Sequence, residues 1–159
     1  MNANTFDKPL PSTAQTHVVA AVWVSWLTVA TAFTVLFGLV MVLLPDLTSQ
    51  AFGLLLYQDA GRLVSHPPEA LAYIQLAHAV MGSLMVGWGA GMFLVTRTLF
   101  KRGERVGWQI LTYSIPFWYV PDTLFSLISG FWPNALMNTG FVVMLMVPLW
   151  ASRHAFPPR

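Results

Sequence analysis

Residues 106–152 read VGWQILTYSIPFWYVPDTLFSLISGFWPNALMNTGFVVMLMVPLWAS, and Asp122 is their only charged side chain. A water-soluble domain does not tolerate so long a run without charge; a membrane helix needs about 17–25 such residues. The run divides at Gly130-Phe131-Trp132-Pro133-Asn134. Glycine suits a helix C-terminus, Pro133 breaks the path, and Asn134 is placed to cap the next helix. The stretch therefore predicts two spans, 106–129 and 135–151, joined by a tight turn.

Two further charge-free stretches lie upstream, 18–45 and 70–96. They predict spans over 18–44 and 70–96. The apolar run of the first exceeds the 7–15 residues of a signal-peptide core and follows a single Lys, so an uncleaved span is expected. Charged residues are 9 % of the chain and apolar residues 56 %, against about 25 % charged in an average soluble domain. The expected fold is all-α: a polytopic membrane protein with a four-helix transmembrane bundle over 18–152. Residues 1–17 and 153–159 read as polar cytoplasmic tails, 47–57 as a short interfacial helix, and 58–69 as a loop stopped by Pro67-Pro68.

With four spans, Lys8, Arg97, Lys101, Arg102, Arg105, Arg153 and Arg159 share one side, and Arg62 stands alone on the other. The positive-inside rule then places both termini in the cytoplasm. Localisation to a bacterial inner membrane is expected.

Several chemistries are excluded by counting. With no cysteine there is no thiol redox centre, thiolate metal site or iron–sulfur cluster. Bis-His haem ligation needs two histidines at level depth, and only His78 falls inside a span; di-iron carboxylate sites need glutamates that the spans lack. No nucleotide-binding or hydrolase motif occurs, and the net charge of +2 is no argument for nucleic acid. No cofactor is evident, although a bound quinone or lipid remains compatible with the sequence. The expected partners are the bilayer and either a second membrane subunit or further copies of this chain.

Asp122 is the outstanding polar residue. A carboxylate at mid-membrane costs about 2.5–3.5 kcal/mol on insertion scales, so it turns inward and finds a partner. Pro121 and Pro116 free the carbonyls of Phe117 and Thr112 beside it. His78 lies eight residues from Ala70, at one end of its span, and Asp122 eight from Gly130. At 1.5 Å per residue both sit ~12 Å deep, which predicts a buried Asp122–His78 pair. Trp118, Asp122, Ser126 and Gly130 recur every four residues, and the count continues through Asn134 and Asn138. With Gln75 and Tyr73 above His78, these residues predict a polar pocket in the outer half, walled by aromatic rings. Ser83, Gly87 and Gly91 form a small-residue stripe expected to pack against a neighbouring helix.

The run Trp118-x-x-x-Asp122-x-x-x-Ser126-x-x-x-Gly130-Phe131-Trp132-x-Asn134-x-x-x-Asn138, ending in Pro148-Leu149, resembles the DoxX-like group of small four-helix bacterial inner-membrane proteins. The likeness extends over residues 20–150 by architecture and over 118–149 by motif. It implies a link to quinone-dependent oxidoreductase complexes for some members. No residue of this chain would carry electrons, so that role would fall to a partner subunit or a bound quinone.

Three functional expectations follow. The leading one is a membrane protein that binds a small or lipid-like molecule in the outer-half pocket, as an accessory subunit. The second is a proton-coupled transporter using Asp122. The third is an intramembrane isomerase or a quinone-linked oxidoreductase component with Asp122 and His78 as acid and base. The sequence leaves open whether any reaction is catalysed.

Overall fold

The computed structural model describes residues 18–157, and every regular element among them is helical. The tail expected over 1–17 and the final two residues lie outside the described residues. The chain forms α1 (Ala21–Leu43), α2 (Pro45–Tyr57), the single turn α3 (Gly61–Val64) and α4 (Pro68–Val95). A π-helical turn, Thr96–Phe100, extends α4 before α5 (Arg105–Ile128), α6 (Trp132–Ala151) and a closing 3-10 turn, Arg153–Ala155.

Proline and glycine punctuate these elements as their backbones require. Pro45 and Pro68 occupy the first turns of α2 and α4, where a missing N–H costs nothing. α5 ends in a paired closing motif. The Phe131 N–H donates to the Ser126 carbonyl at 2.7 Å and the Gly130 N–H to that of Leu127 at 3.2 Å. This geometry needs the left-handed backbone of Gly130, at φ 80°. Asn134, expected as the cap of the last span, lies inside α6 instead. Phe131 flanks that helix with no side-chain cap, and the Asn134 amide is directed back at α5.

The four long helices alternate in direction. Val19, Phe100, Leu111, Leu149 and Phe156 pack in one cluster, which gathers the start of α1, the end of α4, the start of α5 and the end of α6. Arg97, Lys101, Arg102, Arg105 and Arg153 belong to this end. At the other end α2 lies across the bundle: Gln75 of α4 donates to Asp46 at 2.8 Å, Phe52 stacks on His78, and Tyr57 meets Phe131 edge-on.

Three helices are long and apolar enough to cross a membrane: Ala21–Leu43, Pro68–Phe100 and Trp132–Ala151. α5, at 24 residues, is long enough to cross but less apolar, because Gln109, Thr112, Ser114, Asp122, Thr123 and Ser126 dilute it. It runs unbroken through Pro116 and Pro121. Large side chains cover the outside of the bundle, Phe117 at 82 % and Ile128 at 77 % exposure among them. So much exposed apolar surface suits lipid rather than water.

α1 and α4 make the tightest contact. A Cβ on Gly38 would meet the Gly82 carbonyl oxygen at 2.5 Å, and one on Gly82 would meet that of Gly38 at 2.6 Å. Gly89 receives Val35 and Thr34 in the same seam. The helices thus approach where neither has a side chain. This corrects the stripe expected at Ser83, Gly87 and Gly91. Ser83, Gly87 and Gly91 are all exposed, and a Cβ on Gly87 or Gly91 would meet nothing within 4 Å. At about 100° per residue, the packing face at Gly82 and Gly89 lies roughly 150° round the helix from the expected one.

Candidate functional site

Halfway along the bundle lies an aromatic layer. Phe33 and Phe37 of α1 meet Phe141 of α6, which meets Trp118 of α5. Trp118 in turn meets Trp88 of α4, with ring centroids 5.7 Å apart. Above this layer, toward α2, the interior turns polar.

The polar layer is carried by the α5–α6 hairpin. Asn134 Nδ2 donates to Ser126 Oγ at 2.8 Å and to Asp122 Oδ1 at 3.2 Å. Ser126 Oγ donates to the Asp122 carbonyl at 2.8 Å and lies 3.3 Å from Asp122 Oδ1. Asn138 Nδ2 reaches Thr123 Oγ1 at 3.4 Å, and Tyr119 and Thr139 share a hydroxyl contact of 3.0 Å. These pairs form a ladder because residues four apart on α5 face residues four apart on α6 around a tight turn. Ser126 and Asn138 are buried, and Asp122 is half-buried. Asn134 is the donor to Oδ1, with the Ser126 hydroxyl beside it, while Oδ2 has no hydrogen-bond partner among the described residues and is not fully buried.

His78 stands apart from this cluster, and the expected Asp122–His78 hydrogen bond is not formed. The His78 ring is buried and stacks on Phe52 of α2, with centroids 4.7 Å apart, and its Nδ1 has no partner among the described residues. Depth explains the separation. Trp88 and Trp118 are level. His78 lies ten residues from Trp88 toward α2, and Asp122 four residues from Trp118 in the same direction. At 1.5 Å per residue these offsets are ~15 and ~6 Å, so the pair is out of register by ~9 Å. Counting from the helix ends fails because α4 and its π-helical turn reach from Pro68 to Phe100, longer than α5.

The other expected pocket residues divide in the same way. Trp118, Ser126, Asn134 and Asn138 gather around Asp122 or directly below it. Gln75 is turned outward to Asp46, and Tyr73 is exposed. Thr123, Tyr119 and Thr139 join the polar seam, and sequence reasoning did not single out Thr123 or Thr139. Each directly follows a residue that was identified, Asp122 and Asn138, so the four-residue spacing did not mark it. Ser49, on the inner face of α2 between the residues that touch Gln75 and His78, is fully buried with an unpartnered Oγ.

No family model, curated protein or solved structure matches this chain. The site is therefore read from its own geometry. A carboxylate held by one oxygen and open at the other can accept a hydrogen bond, pair with a cation or carry a proton. An open apolar groove of ≈ 620 Å³ between α1 and α6, lined by Val22, Trp26, Val29, Phe33 and Met144, is separate from it and suits an acyl chain.

Proposed function

We propose that this chain is a four-span membrane protein that binds a small or lipid-like molecule at Asp122, in the outer half of the bilayer. The observation that carries the reading is the division of labour within one carboxylate. Ser126 and Asn134 sit against Oδ1, and Oδ2 has no hydrogen-bond partner among the described residues. A purely structural hydrogen-bond tie has no use for an open oxygen at that depth, whereas a recognition group does. Apolar walls above an aromatic layer fit a ligand that arrives from the membrane.

In this reading α5 is the fourth span. Its polar residues near the turn, Asp122, Thr123 and Ser126, bond to α6 side chains, so this part of the helix is amphipathic toward its partner rather than toward water. Both termini lie in the cytoplasm of a bacterial cell, with the basic end of the bundle inside and α2 along the outer surface. The protein acts as an accessory component, in keeping with the DoxX-like resemblance. A proton relay or an acid–base pair built on Asp122 and His78 draws no support from the hydrogen bonding, so we assign no reaction.

Native mass spectrometry of the chain extracted from its membrane tests the reading. A bound mass on the native chain that is lost in Asp122→Asn is expected; a bare chain, or a mass indifferent to that change, overturns it. Topology is separately testable because the chain has no cysteine. Ser65→Cys should react with an impermeant maleimide on whole cells, and Thr98→Cys should not.

A further inference from the structure

The contact between α4 and α5 is confined to one part of their length. The helices meet at Trp88 and Trp118. The face of α4 that carries Trp88 continues toward α2 through Leu84, Met81 and Ala77, spaced by three and four residues. All three are exposed, Leu84 at 69 % and Met81 at 45 %. On the opposing helix Phe125, one turn beyond Asp122, is exposed at 69 %. The helices therefore splay above the tryptophan pair. The cleft between them has an indole floor, apolar walls and the Asp122 carboxylate one turn above the floor.

The charge in this cleft has no counterpart among the described residues. Asp122 is bonded to neutral Ser126 and Asn134. The only Lys or Arg at the α2 end among the described residues is Arg62, which lies over the Tyr57 ring at 5.7 Å. A carboxylate inside a span is stabilised by a cation, and the faces of indole rings attract one. We propose that the cleft between α4 and α5 is a binding site for an organic ammonium ion. Asp122 Oδ2 is the counter-charge, the Trp88–Trp118 pair is the floor, and Met81, Leu84 and Phe125 receive the apolar part of the molecule. The proposal names the ligand class of the site described above and rests on that reading. The same chemistry is offered by a free alkylammonium and by the choline headgroup of a lipid.

The test uses the full chain in phosphatidylglycerol nanodiscs, titrated with hexyltrimethylammonium and followed by tryptophan fluorescence, with octan-1-ol as the uncharged comparator. A saturable change is expected for the cation and not for the alcohol. Asp122→Asn should weaken it by at least about tenfold, or about 1.4 kcal/mol, and His78→Ala should leave it unchanged. Phe125→Lys alters an exposed residue and sets a tethered ammonium three residues from Asp122. It should abolish binding of the probe, and it serves where Asp122→Asn does not fold. Phosphatidylcholine nanodiscs separate the two sources: weaker apparent affinity there identifies the lipid headgroup as the competitor, and equal affinity identifies a free cation. Equal binding of cation and alcohol, or binding untouched by both Asp122→Asn and Phe125→Lys, overturns the ammonium assignment. If a co-purified neutral molecule still depends on Asp122, the ligand class alone falls; if no ligand of either kind depends on Asp122, the site falls with it.

Discussion

Trp26 of α1 donates its indole N–H to the Met144 carbonyl of α6 at 2.9 Å. That carbonyl is free because Pro148, four residues on, has no N–H to offer it. In lipid, where no water replaces the lost helical bond, an orphan carbonyl costs several kcal/mol. Trp26→Phe should therefore destabilise the bundle by about 1–2 kcal/mol. The same change in a Pro148→Ala background should cost clearly less, since alanine restores the helical donor. A double-mutant cycle by denaturant unfolding in detergent measures the difference. Equal costs in the two backgrounds would show that the indole contributes only packing.

The glycine seam makes a prediction of opposite signs. Gly82→Ala drives a Cβ to 2.6 Å from the Gly38 carbonyl oxygen, and forced repacking of this kind costs about 1–3 kcal/mol. Gly87→Ala and Gly91→Ala meet nothing within 4 Å and should stabilise α4 by up to about 0.8–1.0 kcal/mol through helix propensity. Melting temperatures of the three variants, taken side by side, decide it. A loss at Gly87 or Gly91 equal to that at Gly82 would mean that a partner helix covers the outer stripe.

His78 and Asp122 should behave as independent residues. Out of register and without a shared hydrogen bond, His78→Ala and Asp122→Asn should add to within about 0.3–0.5 kcal/mol in the double variant. Coupling well above that range, read from unfolding of all four chains, would put the two side chains back in contact.

Asn134 is the residue that ties the carboxylate to α6. Asn134→Leu removes the donor to both Asp122 Oδ1 and Ser126 Oγ and should cost about 1–3 kcal/mol. Asn138→Leu breaks a longer contact of 3.4 Å, and Thr123 can turn its hydroxyl to its own helix, so the cost should be smaller. Reversal of that order in denaturant titrations would place the main tie of the hairpin at Asn138 instead.

What could be read in advance was what is local along the chain. Gly130 with Pro133 marks the turn, and a tight turn fixes the register of the two helices it joins. Asp122, Ser126 and Asn134, which share the four-residue spacing across that turn, are joined by hydrogen bonds. What could not be read was rotation and register between helices joined by long connections. Ser83-x-x-x-Gly87-x-x-x-Gly91 and Gly82 with Gly89 are equally good small-residue stripes on paper. Only the position of Gly38 on α1 chooses between them. His78 and Asp122 are equally deep when counted from loop residues, but the fixed reference is the Trp88–Trp118 contact, and the sequence does not announce it. Hydropathy also separates α5 from the three apolar helices, although Asp122, Thr123 and Ser126 in its last turns make their hydrogen bonds with α6 side chains.

The ladder between α5 and α6 also bears on how the chain enters the bilayer. Asp122, Ser126 and Asn134 lie on a single hairpin closed by a short turn. With α5 as the proposed fourth span, its carboxylate is solvated by its own hairpin before α1 and α4 are docked. A pair built on His78 would have left the carboxylate waiting for the correct assembly of two separate hairpins. As folded, the second hairpin arrives with its carboxylate already held, and the seam between α4 and α5 is free to remain open.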